Sequence, residues 1–147
     1  EVKEILIKVH KMDDSKAHIL SRLSSGSLGE ALKFKEDAFF DKRSGLIDGL
    51  LKRTFFNSDF EAVSKEDLKL YLGLMLSWYR DVLITKAGME DSMLVNLDKK
   101  DAISGEAKRM NMDYLDNVIK EIIQTNSYLD QNANSKLAMG VLGSKIQ

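Results

Sequence analysis

His10 and His18 are the only histidines in the chain, eight residues apart, and a metal centre or a histidine base would have to be built on one of them. Neither stands in the Glu-x-x-His pattern that aims two ligands into a helical bundle. Neither accompanies a serine in a recognisable nucleophile motif. The acidic pairs Asp13-Asp14 and Glu90-Asp91 are neighbours in sequence, so their carboxylates diverge on a helix or turn, whereas general acid–base catalysis needs two that converge with separated pKa values. Gly143-Ser144-Lys145 lacks the rest of the phosphate-loop pattern G-x-x-x-x-G-K-S/T. Gly26-Ser27-Leu28-Gly29 stands at a helix start, a place that can hold an anion, but it reads first as one helix stopping and another beginning. Lys52-Arg53 and Lys99-Lys100 are isolated basic pairs of solvated faces. The aromatics Phe39, Phe40, Phe55, Phe56, Tyr71, Trp78 and Tyr79 sit among aliphatics, as core or interface rather than as a base-stacking platform. No catalytic, cofactor-binding or metal-ligating residue is expected.

The elements that carry these residues read as helices throughout, because apolar positions recur at helical spacing and no stretch sustains period-two alternation. Val2, Ile5, Leu6 and Val9 predict a helix over 2–10. Asp13 or Asp14 caps a second, bearing Ala17, Ile19, Leu20 and Leu23. Ser24-Ser25-Gly26-Ser27 ends it, with Gly26 suited to the left-handed position after a helix. Ser27-Leu28-Gly29-Glu30 fits a capping box and predicts a third helix from about Leu28 to Phe40. Leu46, Ile47, Leu50 and Leu51 predict a fourth, ending before Asn57.

Ser64-Lys65-Glu66-Asp67 then opens the most hydrophobic segment, residues 68–84. Its apolar positions cover more than one face, as in a helix buried on several sides. Residues 88–98 read as a turn-rich connector and 99–110 as a short helix. Leu115, Val118, Ile119, Ile122 and Ile123 mark a strong helix from Asp113, Asn132 and Asn134 break it, and Leu137 to Ile146 forms the last.

With 147 residues the chain is long enough for one ordinary domain or two small ones, with a core that needs no staples. Its 22 Lys and Arg against 23 Asp and Glu leave no overall field for nucleic acid or anionic lipid. There is no cysteine, hence no disulfide, thiolate or cysteine zinc site. No apolar run reaches the roughly 18–20 residues of a membrane span. There is no secretory pattern at the start, and a cytoplasmic protein is expected. Proline is absent, which long helices joined by short turns tolerate best. The chain starts at Glu1 without Met and reads as a piece of a longer protein.

Two regions carry a resemblance. Residues 19–34, from Ile19-Leu20 through Gly26-Ser27 and Gly29 to Ala31-Leu32-Lys33-Phe34, resemble the lid-domain motif of the AAA+ clamp-loader subunits. Farther on, Leu76-Ser77-Trp78-Tyr79-Arg80-Asp81-Val82-Leu83, the Asn96 and Asp98 pair and Asn132-Ala133-Asn134-Ser135-Lys136-Leu137-Ala138-Met139 are similar, in order and spacing, to blocks of the C-terminal region of the bacterial DNA polymerase III delta-prime subunit. In ATPase-active relatives the helix of the lid motif carries an arginine where this chain has Gly29, a departure that favours the ATPase-inactive delta-prime type.

The resemblance implies an all-α fold, with residues 1–43 as a helical lid (motif residues Gly26, Ser27 and Gly29) and 44–147 as a collar bundle. It implies a non-catalytic assembly region without cofactor. The partners would be gamma/tau- and delta-type subunits in a pentameric loader, with DNA and the sliding clamp contacted only through the assembly and no membrane. Tyr71, Met75, Trp78, Tyr79, Arg80, Asp81 and Asn134 are the expected interface residues, with Arg80-Asp81 either fixing register against a partner or forming an intrachain pair. The alternatives are the lid and collar of a gamma/tau or delta subunit, or an unrelated helical enzyme or ligand-binding bundle, which would enclose a polar pocket.

Overall fold

The computed structural model describes residues 1–24, 27–34 and 37–146. Among the described residues there are eight α-helices and no strand: α1 Val2–Lys8, α2 Asp14–Leu23, α3 Leu28–Lys33, α4 Asp37–Lys52, α5 Lys65–Lys86, α6 Lys100–Arg109, α7 Met112–Asp130 and α8 Ser135–Ile146. Short 3-10 turns at Phe55–Asn57, Asp91–Met93 and Leu97–Lys99 punctuate the links.

The helix starts are written in the capping residues. Asp13 accepts the Lys16 amide at 2.8 Å, Ser27 that of Glu30 at 3.3 Å, Ser64 that of Asp67 at 3.1 Å and Asn111 that of Tyr114 at 2.8 Å. Each satisfies one of the amides a helix leaves without a partner in its first turn. The stops are equally specific. At the end of α5, Gly88 lies at φ +76°, with the Gly88 amide donating to Thr85 and the Met89 amide to Ile84. That is a Schellman closure, in which glycine takes the left-handed position without strain. Asn132, at φ +60°, closes α7 in the same pattern, with its amide donating to Leu129 and the Ala133 amide to Tyr128.

The third and fourth expected helices are the main correction. A single helix from Leu28 to Phe40 does not form: α3 ends at Lys33, and α4 begins at Asp37 and runs unbroken to Lys52. The phase explains the difference. Phe39 and Phe40 lie seven residues before Leu46 and Ile47, so all four share one buried stripe. Arg43 sits midway along it. The boundary expected at 43/44 therefore falls inside a continuous helix.

α5 is the axis of the molecule. It packs against α4, α6 and α7, and Leu68, Leu72, Leu74, Met75, Trp78, Tyr79 and Val82 are buried along it. α8 packs on α7 and on the 3-10 turn Phe55–Asn57. The fit at that turn is close: a Cβ on Gly143 would lie 2.9 Å from the Phe56 ring. α1 packs on α2, and α2 on α3 and on the turn Leu97–Lys99.

Candidate functional site

The apolar segment 68–84 turns its large side chains inward. Trp78 is 1% exposed, Met75 0% and Tyr79 3%. Burial pushes the Tyr79 phenol well above its usual range. Asp81, next to exposed Arg80, is 1% exposed. These four side chains are enclosed by the chain's own elements. Met75, Trp78, Tyr79 and Asp81, expected at a partner interface, are thus packed within the chain itself.

A carboxylate in such a place must be satisfied internally. Asp81 Oδ1 accepts the Val95 amide at 3.0 Å, and Oδ2 accepts both the backbone amide and the side-chain Nδ2 of Asn96 at 2.8 Å. Ser77, one turn earlier on the same face, lies 3.4 Å from that Nδ2. Burial raises the Asp81 pKa, while the Asn96 and Val95 donors and then the Arg43 charge oppose the rise.

Arg43 completes the arrangement from α4. Its Nε and one terminal nitrogen donate to Asn96 Oδ1 at 3.2 and 2.9 Å, and its fork grips the Asp98 carboxylate at 2.6 and 3.0 Å. A planar guanidinium is the side chain that can serve an amide and a carboxylate at once. The network is a lock between α4, α5 and the connector at 87–99. Its Asp81, Asn96 and Arg43 groups are already committed to one another, which suits it to holding shape rather than to turning over a substrate. Asn96 and Asp98 were visible in the sequence as a connector signature, but Arg43 was not singled out. The available signal was an arginine placed between Phe40 and Ile47 on an apolar stripe.

The remaining expected residues lie elsewhere. Tyr71 is half-buried, its ring edge-on to Phe55 at 5.6 Å. Asn134 is exposed and accepts the Leu137 amide at 2.9 Å. Gly29 is exposed in the first turn of α3 behind the Ser27 cap. Gly26 lies outside the described residues. The structure thus does not gather the expected interface residues into one patch. No group of three or more metal-ligating side chains occurs among the described residues, and no helix among them is long and apolar enough to cross a membrane.

Unpartnered apolar surface lies instead on α8. Ala138, Met139, Leu142 and Ile146 face inward, while Leu137 is 67% and Val141 44% exposed on the opposite side. With Asn134, Lys136, Gly140 and Ser144 they line an open groove of about 500 Å³. Ile123 and Tyr128 add exposed apolar area on α7. A Leu and a Val four residues apart form a ridge on a helix surface.

Residues 37–141, from the first residue of α4 into α8, match the family described as DNA polymerase III, delta subunit, C terminal. The chain belongs to this family. No curated protein and no solved structure matches it. It is therefore the C-terminal region of a clamp-loader subunit of DNA polymerase III, and the all-α architecture agrees with a helical collar domain. The family match spans 37–141, so it takes in the whole of the Arg43–Asn96–Asp81–Asp98 lock and the Leu137–Val141 ridge.

Proposed function

We propose that this chain is a non-catalytic, cytoplasmic assembly region that holds its subunit in the pentameric clamp loader, with the outer face of α8 docking on the collar of a gamma/tau-type neighbour. The observation that carries the reading is the Leu137–Val141 ridge, exposed on a domain whose other large apolar helix is already enclosed. Gly140 and Ser144 beside it let a partner helix approach closely. Lys136 and Lys145, paired with Glu61 and Glu121, supply the charged rim that stable interfaces place around an apolar centre. The lock at Arg43 supports the same reading, because a joint that bears moving modules needs one fixed geometry. On this reading α1–α3, with the first part of α4, belong to a lid, and DNA and the sliding clamp are reached only through the assembled loader.

The delta-prime assignment is supported by Gly29 standing where ATPase-active relatives carry arginine. A delta-type subunit is the second reading, favoured by the wording of the family description. Size-exclusion chromatography with gamma/tau-type subunits at micromolar concentration tests the proposal. The expected result is co-elution of the native chain and its loss in the double variant Leu137→Ser, Val141→Ser. Absence of a complex with the native chain, or equal binding by the variant, rejects it.

A further inference from the structure

The connector at 87–99 is gripped from two sides. From α2, the Arg22 guanidinium donates to the Ser92 carbonyl at 2.8 Å, and His18 Nε2 lies 2.7 Å from the buried Leu94 carbonyl. A carbonyl only accepts, so Nε2 is the donor there. From the bundle, Asp81 takes the Val95 and Asn96 amides, and Arg43 takes Asn96 and Asp98. The Leu94 carbonyl and the Val95 N–H belong to one peptide unit, which is planar and stiff. His18 pulls on one end of that plane and Asp81 on the other, and hydrogen bonds in series polarise one another.

Around this grip α2 buries Ala17, Ile19 and Leu20 and is bordered by two clefts. A cleft of about 730 Å³, lined by Leu23, Phe34, Leu70, Gly73 and Leu74 among others, separates the α2–α3 side from α5. Another gap, of about 860 Å³, lies between α1, α2 and Ser92. The polar grip on residues 92–96 joins the contact of α2 with the turn Leu97–Lys99 and the Lys16–Asp37 pair in holding that side.

We infer that the connector is a coupling strap: through the Leu94–Val95 peptide plane, the docking of α2 by His18 and Arg22 and the integrity of the Arg43–Asn96–Asp81 lock stabilise one another. His18 and Arg22 are positioning residues, acting on the lock without touching it. The inference stands on these contacts and does not depend on the partner proposed for α8.

Amide hydrogen exchange read residue by residue in the whole chain tests it. Arg22→Ala, at an exposed site, and His18→Gln each accelerate exchange at Val95 and Asn96 by roughly tenfold, while Ile122 in α7 keeps its rate to within about twofold. Because coupling is reciprocal, Asp81→Asn accelerates exchange in α2 by a similar factor. If His18→Gln does not fold, Arg22→Ala alone decides. Unchanged exchange at Val95 and Asn96 overturns the inference. So does an equal acceleration at Ile122, which would make these contacts ordinary contributors to global stability.

Discussion

Replacing Arg43 by lysine keeps the charge and removes the fork. The native guanidinium makes two bonds to Asp98, at 2.6 and 3.0 Å, and two to Asn96 Oδ1, at 2.9 and 3.2 Å. A lysine ammonium concentrates its donors at one point, so it can keep one contact with Asp98 and, at best, one with Asn96. Asp98 is partly open to water, and its lost bond counts near the lower end of the range for charged hydrogen bonds. The bond lost at Asn96 is the longer of two to one neutral amide oxygen and counts as an ordinary hydrogen bond, about 1 kcal/mol. Together they destabilise by about 2–3 kcal/mol. In a domain of this size that lowers Tm by about 4–12 °C. Urea unfolding followed through the buried Trp78 measures the change, with an unaltered slope m showing that the unfolded state is unaffected. Combined with Asp98→Ala, the two losses should add to less than their sum, because both remove one interaction. A loss below about 0.5 kcal/mol, or strict additivity, refutes the view that Arg43 is the bolt of the lock.

Trp78→Ala removes the largest fully buried side chain and is expected to cost about 3–5 kcal/mol by the same unfolding assay, read by circular dichroism. A cost below about 1 kcal/mol would mean that the indole is not core. Gly143→Ala gains helix propensity but drives a Cβ to 2.9 Å from the Phe56 ring; the overpacking prevails, with a net loss of about 1–2 kcal/mol, and a stabilised variant would contradict the close α8–turn fit. Asp81 has its folded pKa raised above the ordinary 3.8, so between those two values the folded chain binds the extra proton. Its contribution is therefore greatest below 3.8 and declines as pH rises through the folded value. The stability difference between the native chain and Asp81→Asn should shrink as pH rises through that window, and a difference that widens there would reverse the assignment.

Local signals in this chain carried far because they are self-contained. Asp13, Ser27, Ser64 and Asn134 each fix a helix start with one side-chain bond to a nearby amide, and such a bond is legible from a few letters. The all-helical class follows from periodicity in the same way. What failed was phase across a weak stretch. Leu28 to Phe40 looks continuous because Ala31, Leu32 and Phe34 keep a helical rhythm, but the stripe shared by Phe39, Phe40, Leu46 and Ile47 starts a new helix with its own face. The surroundings of the candidate site were harder to read for a related reason. Apolar residues all round α5 are compatible with a core or with a subunit interface, and only the positions of α4, α6 and α7 decide between them. Leu137 and Val141 were invisible as surface, because α8 is apolar on both sides and the sequence does not say which side meets α7.

The distribution of chemistry over the fold is itself informative. A lone apolar core would stabilise this bundle, and burying Asp81 adds a desolvation cost that better packing could avoid. The carboxylate has a use if the relative setting of α4, α5 and the connector must be unique. Asn96 offers an amide, a carbonyl oxygen and a backbone N–H in one fixed triangle, and a slipped arrangement would leave several of them buried without partners, at about 1–3 kcal/mol each. Apolar contacts tolerate small slides far better than directional ones do. The lock therefore supplies geometry, while adhesion is the role proposed for the exposed ridge on α8, and the two are carried by different helices. Loosening Arg43 should then leave the Leu137–Val141 surface chemically intact while degrading the angle at which it is presented.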